Sequence, residues 1–203
     1  MKAYLDTLRR AKECLLNPSE AIKKSLQDVH SKNVFSLVLD GEENGKLLRV
    51  FICDKKLKPF EVQLHSHRYG INLYPIAGNI IQHVAIPGNQ LQMPTYRYKS
   101  FLNGGNGLSF MGVGNYNITS HQAPVGSKIH MSENEVHTMS CSKGSIWMVE
   151  ELGFAREDSI VLGVPFTVEG LYRQPDMFQI NDKCQTVLKH ITELIKNFES
   201  INN

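Results

Sequence analysis

Two histidines stand two residues apart in the stretch Val62 to Gly78, VQLHSHRYGINLYPIAG. The stretch reads as a strand, whose side chains alternate across the sheet, so His65 and His67 point the same way, about 7 Å apart along the backbone. Imidazole is the commonest ligand for iron, zinc, copper and nickel. Two such nitrogens on one face can chelate a single ion and leave most of its coordination sphere empty. Ser66 points the other way. The pair equally suits ordinary strand histidines bonded to backbone carbonyls, and a metal site needs a third ligand from elsewhere.

From Gly126 the chain reads GSKIHMSENEVHTMSC. The spacing resembles the second motif of the cupin superfamily, G-x5-P-x-G-x2-H-x3-N. Gly126 takes the opening glycine, Ser132 the proline, Asn134 the second glycine, His137 the metal-ligand histidine and Cys141 the final asparagine. The earlier stretch is similar to the first cupin motif, G-x5-H-x-H-x3,4-E-x6-G. His65, His67 and the closing Gly78 are in place, Pro59 stands at the opening glycine, and Ile71, which cannot bind a metal, stands at the glutamate. The resemblance covers Pro59 to Glu151. It implies an all-β core, a cupin-like double-stranded β-helix (jelly-roll barrel), in which His65, His67 and His137 hold a metal without the usual carboxylate. That three-histidine arrangement is the one the resemblance associates with thiol dioxygenases and other mononuclear iron oxygenases. His-x-His-Arg followed by an apolar strand is also similar to cupins without assigned function.

Three neutral ligands leave a divalent ion its full charge and about three vacant positions, which suits Fe(II) in an oxygenase that binds a small organic substrate and dioxygen together. Zinc accepts three histidines too, and a zinc or nickel lyase or isomerase is a second reading. A third is a non-catalytic cupin that binds a small ligand. Strand parity puts Gln63, Tyr69 and Ile71 on the face of His65 and His67, and Met139 and Cys141 with His137. Tyr69, through its hydroxyl, and His83, in the strand after Gly78, are the candidates for moving protons. Arg49, whose planar fork suits a carboxylate, and Gln63 are the candidates for binding substrate. Ile71, Met139 and Trp147 read as core, His130 as structural, and Arg68 as a surface salt bridge or interface contact.

Around these residues the chain divides into three. Residues 1–32 read as an N-terminal helical addition, one helix over residues 2 to 16 and another from Ser19 to about His30, separated by Asn17-Pro18. Residues 33–180 carry about ten short strands punctuated by Gly, Asn and Pro, the barrel itself. They include Val34 to Asp40 and Leu47 to Asp54, joined by a hairpin connection at residues 41–45, and separate strands at Asn79 to Pro87 and Met93 to Phe101. Residues 102–107 read as a loop, and the proline-broken segment 164–179 as a cover over the barrel. Residues 181–203 hold a C-terminal helix from about Asp182 to Phe198, its apolar stripe docked on the barrel and its cap at Asn181 or Asp182.

The 203 residues suffice for one domain with a proper core. A net charge of +2, with 21% charged and 41% apolar residues, gives no bulk attraction to nucleic acid or to a membrane surface. The mixed charges of the N-terminal stretch and the lack of any long apolar run lead to a cytoplasmic expectation. Four scattered cysteines without a C-x-x-C pattern point to reduced thiols. A homodimer through sheet edges is the expected assembly.

Overall fold

The computed structural model describes residues 2–18, 23–41, 46–99, 107–163 and 176–201. Helix α1 (Lys2–Leu16) buries Tyr4, Leu8, Ala11 and Leu15, one stripe at helical spacing. Nine strands follow among the described residues: β1 (Val34–Gly41), β2 (Lys46–Cys53), β3 (Ile71–Ala77), β4 (Ile80–Lys99), β5 (Gly107–Ala123), β6 (Ile129–Met131), β7 (Val136–Cys141), β8 (Ser145–Leu152) and β9 (Ser159–Leu162). Helix α2 (Met177–Ile201) closes the described chain.

All strand pairs are antiparallel. One sheet runs β1-β2-β8-β3-β6. The other runs β5-β4-β7, with β9 pairing the far half of β4. Alternation along the first sheet sorts its residues into two sets. Leu37, Leu48, Val50, Ile52, Tyr74, Ile76, Ile146 and Met148 face outward and form one core with α1 and with Cys184, Val187, Ile191 and Ile195 of α2. The inward set, Val34, Cys53, Ile71, Leu73, Trp147 and Val149, meets Ile80, Met139 and Cys141 of the second sheet. Ile71, Met139 and Trp147 are therefore core, and Trp147 stacks on Phe51 at 5.5 Å. Removing a fully buried leucine from water contributes roughly 1.5–3 kcal/mol, so the two helices are part of the domain's stability. The polar bonds agree: Tyr4 donates to the Pro75 carbonyl at 2.8 Å, and Arg9 reaches Glu199 at 2.8 Å.

Several expectations need correction. No helix runs on to His30. Leu26 exchanges both backbone hydrogen bonds with Ser36, and Asp28 and His30 take left-handed φ of 59° and 62°, which a helix cannot contain. Residues 19–22 lie outside the described residues, as do 42–45, 100–106 and 164–175, which held the hairpin tip, most of the glycine-rich loop and the supposed cover. The β1/β2 hairpin itself stands, since Gly41 pairs Leu47. The two strands expected on either side of residue 90 are one, β4, bent by a bulge between Pro87 and Leu91 where Asn117 Oδ1 accepts from the Asn89 and Gln90 amides. Helix α2 starts at Met177, so Asn181 and Asp182 are inside it; its first turn closes from the Ile180 amide to the Asp176 carbonyl.

The two motif glycines have backbone reasons. Gly78 turns β3 into β4 with φ of 83°, and a Cβ there would lie 2.2 Å from Ser145 Oγ. Gly126 has φ of 88°, and its Cβ would meet Phe198 of α2 at 3.0 Å.

Candidate metal centre

His65 and His67 do not lie in a ladder strand. The regular strand begins only at Ile71, and the pair sits in an extended segment that bridges β7 and β9 through His65. The effect on direction is the one a strand would have. The His65 amide donates to the His137 carbonyl at 2.9 Å and the His137 amide returns the bond at 2.9 Å. Residues that exchange both bonds stand directly opposite with side chains on one face. On the other side Ser66 holds β9: its amide donates to the Ile160 carbonyl at 2.8 Å and its Oγ accepts from the Ile160 amide at 2.9 Å.

The three rings form a nearly equilateral cluster. Centroids lie 5.1 Å apart for His65 and His67, 5.1 Å for His67 and His137, and 5.5 Å for His65 and His137. One nitrogen of each lies within 4.8 Å of the others. Two rings are oriented from behind. His65 Nδ1 sits 2.7 Å from the Gln63 carbonyl, and His137 Nδ1 sits 2.9 Å from Gln82 Oε1. With Nδ1–H donating in each case, both Nε2 atoms present lone pairs toward the centre. His67 Nε2 approaches His137 Nε2 to 2.9 Å. Burial holds His65 and His67 below the ordinary imidazole range and His137 down at about 3, where the neighbouring histidines add to the effect. All three are neutral at physiological pH, the form a metal needs.

A double-sheet jelly roll with three such imidazoles converging on its inner face is the arrangement the motifs imply. The barrel is cupin-like. No protein-family model matches the chain, and no curated protein matches it. Among solved structures, hydroxypropylphosphonic acid epoxidase from S. wedmorenis aligns at 12% identity over 65% of this chain and 56% of that one, with a TM-score of 0.39. FeII HppE in complex with substrate aligns at 14% identity over 68% and 58%, with a TM-score of 0.40. An RmlC-like cupin from Shewanella frigidimarina NCIMB 400 aligns at 12% over 64% and 85%, at 0.35. The chain thus spans little more than half the length of the epoxidase structures.

The structure brings some of the other candidates to the cupin-like centre and moves others away. Tyr69 has its ring 5.5 Å from that of His67, and burial together with the Glu151 carboxylate drives its hydroxyl well above the ordinary phenol range. Arg49 is on the inner face of β2, with Nε 2.7 Å from Glu151 Oε1. The side chain of Gln63 donates to the Leu162 carbonyl at 3.0 Å, so its bond to His65 is made through the main chain. His83 is displaced. It pairs with Thr138, one residue out of phase with His137, and its ring lies between Ser120 Oγ at 2.8 Å and Ser140 Oγ at 2.9 Å on the opposite face of the sheet. The sheet therefore stands between the His83 ring and the three histidines. His130 bonds Asn72 Oδ1 at 3.1 Å, as a structural histidine does. Arg68 lies over the Phe154 ring at 4.5 Å.

Three residues near the centre escaped the sequence reading. Gln82 is one step before His83 and opposes Met139, so it shares the face of His137. That parity follows only once β4 is known to pair β7. Glu151 opposes Ile71 directly, and the carboxylate missing from the motif position has a neighbour one strand away on the same face. Its charge belongs to Arg49, however, and it is not among the residues whose ligand atoms cluster. Burial raises the Glu151 pKa while Arg49 and Tyr69 pull it back. His30 stacks on His65 at 5.3 Å, and burial, His65 and Arg49 together hold it at about 3. Its assignment to a helix end concealed it.

Proposed function

We propose that the protein is a metal-dependent cupin, a mononuclear non-haem Fe(II) dioxygenase or oxygenase acting on a small organic substrate. The carrying observation is the convergence of His65, His67 and His137, neutral and with two rings aimed from behind by Gln63 and Gln82. His67 Nε2 and His137 Nε2 lie 2.9 Å apart, close enough for both to reach one ion. When bound, iron(II) would supply open positions at which substrate and dioxygen meet.

The chain's own residues do the rest. The three imidazoles add no negative charge, so the charge of a bound divalent ion would remain available to an anionic group of the substrate. Tyr69, kept protonated beside the Glu151 carboxylate, stands next to His67, and Arg49 offers a cation on the same inner face. Phe51 and Trp147 make the wall beyond them apolar, which excludes water and strengthens each polar contact. We place this activity in the cytoplasm, on a small molecule, in a homodimer.

The test is elemental analysis of protein expressed with added iron, wild type beside His137→Ala, followed by oxygen uptake with small carboxylate-bearing organic compounds. Stoichiometric iron in the wild type, its loss in the variant, and oxygen uptake with at least one compound are expected. Zinc or nickel instead would move the reading to a lyase or isomerase. No metal in either protein would leave a small-ligand-binding barrel.

A further inference from the structure

On the outer face of the second sheet one row of polar side chains is bonded end to end. His83 of β4 stands between Ser120 of β5 and Ser140 of β7, with Nδ1 2.8 Å from Ser120 Oγ and Nε2 2.9 Å from Ser140 Oγ. His83 and Ser140 are buried, whereas Ser120 is exposed. An exposed hydroxyl on a buried imidazole whose second nitrogen is held by another side chain is the arrangement that activates a serine. Burial lowers the pKa of His83, so the ring is neutral at physiological pH and one nitrogen can accept. The ladder supplies donors for a developing negative charge. His137 and Cys141 exchange their main-chain bonds with His65 and Leu57, away from β4, so Thr138 between them turns its own toward β4 and meets His83. His83 then has none left for β5, and Ser120 opposite it points its amide out of the free edge of β5, which no described strand pairs. The amide of Gln122, two residues on, points the same way. Phe60 adds an apolar wall: its ring lies 5.5 Å from that of His83 and is 49% exposed, presented by a left-handed φ of 62° that is rare outside glycine.

We propose that Ser120, His83 and Ser140 form a second site, separate from the metal centre, that hydrolyses carboxylic esters bearing a small apolar group. Ser120 is the nucleophile and His83 its base. As Ser120 Oγ attacks the ester carbonyl carbon, its proton passes to His83 Nδ1, and the carbonyl oxygen takes up negative charge beside the Ser120 and Gln122 amides. The bond to the alcohol oxygen then breaks, and that oxygen leaves with the proton from Nδ1. Water, giving its proton to the same Nδ1, adds to the acyl carbon; Oγ leaves with that proton, and the acid and the alcohol are the products. Nε2–H donates to Ser140 Oγ throughout, so Ser140 is a positioning residue that keeps Nδ1 free to accept. Phe60 gives the apolar group of the ester a surface to lie on. Because the sheet separates this row from the three histidines, the proposal stands apart from the metal-centre reading.

The test treats the full chain with an alkyl fluorophosphonate, in which a serine oxygen replaces fluoride at phosphorus, and locates the label by mass spectrometry of peptides. Hydrolysis of p-nitrophenyl acetate is followed in parallel, and both are repeated after a chelator. The expected result is one label, on Ser120, at a rate the chelator does not change. Ser120→Ala abolishes it, His83→Gln slows it about 10²–10⁴-fold, and Ser140→Ala slows it about tenfold, with recovery in Ser140→Thr, which keeps the hydroxyl. Ester hydrolysis falls in the same order. No label on Ser120 in the wild type, label spread over other exposed serines, or an unchanged rate in His83→Gln would each overturn the proposal. A loss in Ser140→Ala that Ser140→Thr does not restore would remove Ser140 from it. Should His83→Gln fail to fold, as shown by loss of a cooperative thermal transition, Ser120→Ala at its exposed position decides: hydrolysis that persists there overturns the proposal, and its loss together with the single label supports it.

Discussion

The two faces of the β1-β2-β8-β3 sheet carry opposite kinds of residue on the same strands. On β2, Leu48, Val50 and Ile52 go out under the helices, while Arg49 and Phe51 go in. On β8, Ile146 and Met148 go out and Trp147 and Glu151 go in. The outer face is sealed by α1 and α2 and is apolar over its centre. The inner face admits a buried ion pair beside three uncharged imidazoles. A carboxylate as buried as Glu151 persists only with a partner, and Arg49 is that partner. The helices therefore do more than decorate the barrel. Covering one face with apolar packing lets the other carry polar groups that weaken a core.

The largest effect is expected at the centre, where His137→Ala removes a ligand and should abolish stoichiometric metal while leaving the thermal unfolding temperature of the metal-free protein within a few degrees of wild type. Metal loss accompanied by unfolding would show the two faces to be one unit. On the outer face Leu8→Ala, at a site with no exposure, should cost about 2–5 kcal/mol in denaturant unfolding and leave metal stoichiometry unchanged. Gln82→Leu keeps the volume and removes the acceptor behind His137, and should weaken metal affinity by about 10–100-fold, read by competition with a chelator. An unchanged affinity would mean that the ring is aimed by packing alone.

A smaller effect follows from the depressed pKa values. His137 is held at about 3 in the folded protein, against about 6.5 in an unfolded chain. Between those values the unfolded state binds the proton and the folded state does not, so stability rises with pH. The contribution is fully present above about 6.5 and is lost as pH falls toward 3. His65 and His67 are lowered in the same direction. Urea unfolding of the metal-free protein should therefore weaken steadily from pH 6.5 to pH 4, and the slope should become shallower in His137→Ala. A flat profile would place these rings in water.

The barrel and its three histidines were legible because they rest on period-two alternation and fixed spacing, which survive even where His65 and His67 leave the regular ladder. The turn glycines were legible for a related reason: Gly78 and Gly126 occupy backbone conformations that other residues resist. What was not legible depends on pairing between distant strands. Gln82 rather than His83 faces His137 because β4 meets β7 in one register, and either parity was open in the written order. Glu151 became visible only when β8 fell beside β3. His30 was hidden by its neighbours: Ile22, Leu26 and Val29 have helical spacing, yet Leu26 pairs with Ser36 and the chain turns left-handed just before the histidine.

The central claim is that three imidazoles bind one ion on the inner face of the barrel. Anomalous diffraction at the iron edge from crystals of the iron-loaded protein tests it directly. A single strong peak within bonding reach of His65, His67 and His137 is expected, with Glu151 still on Arg49. A peak elsewhere, or one bound by Glu151 in place of a histidine, would contradict it.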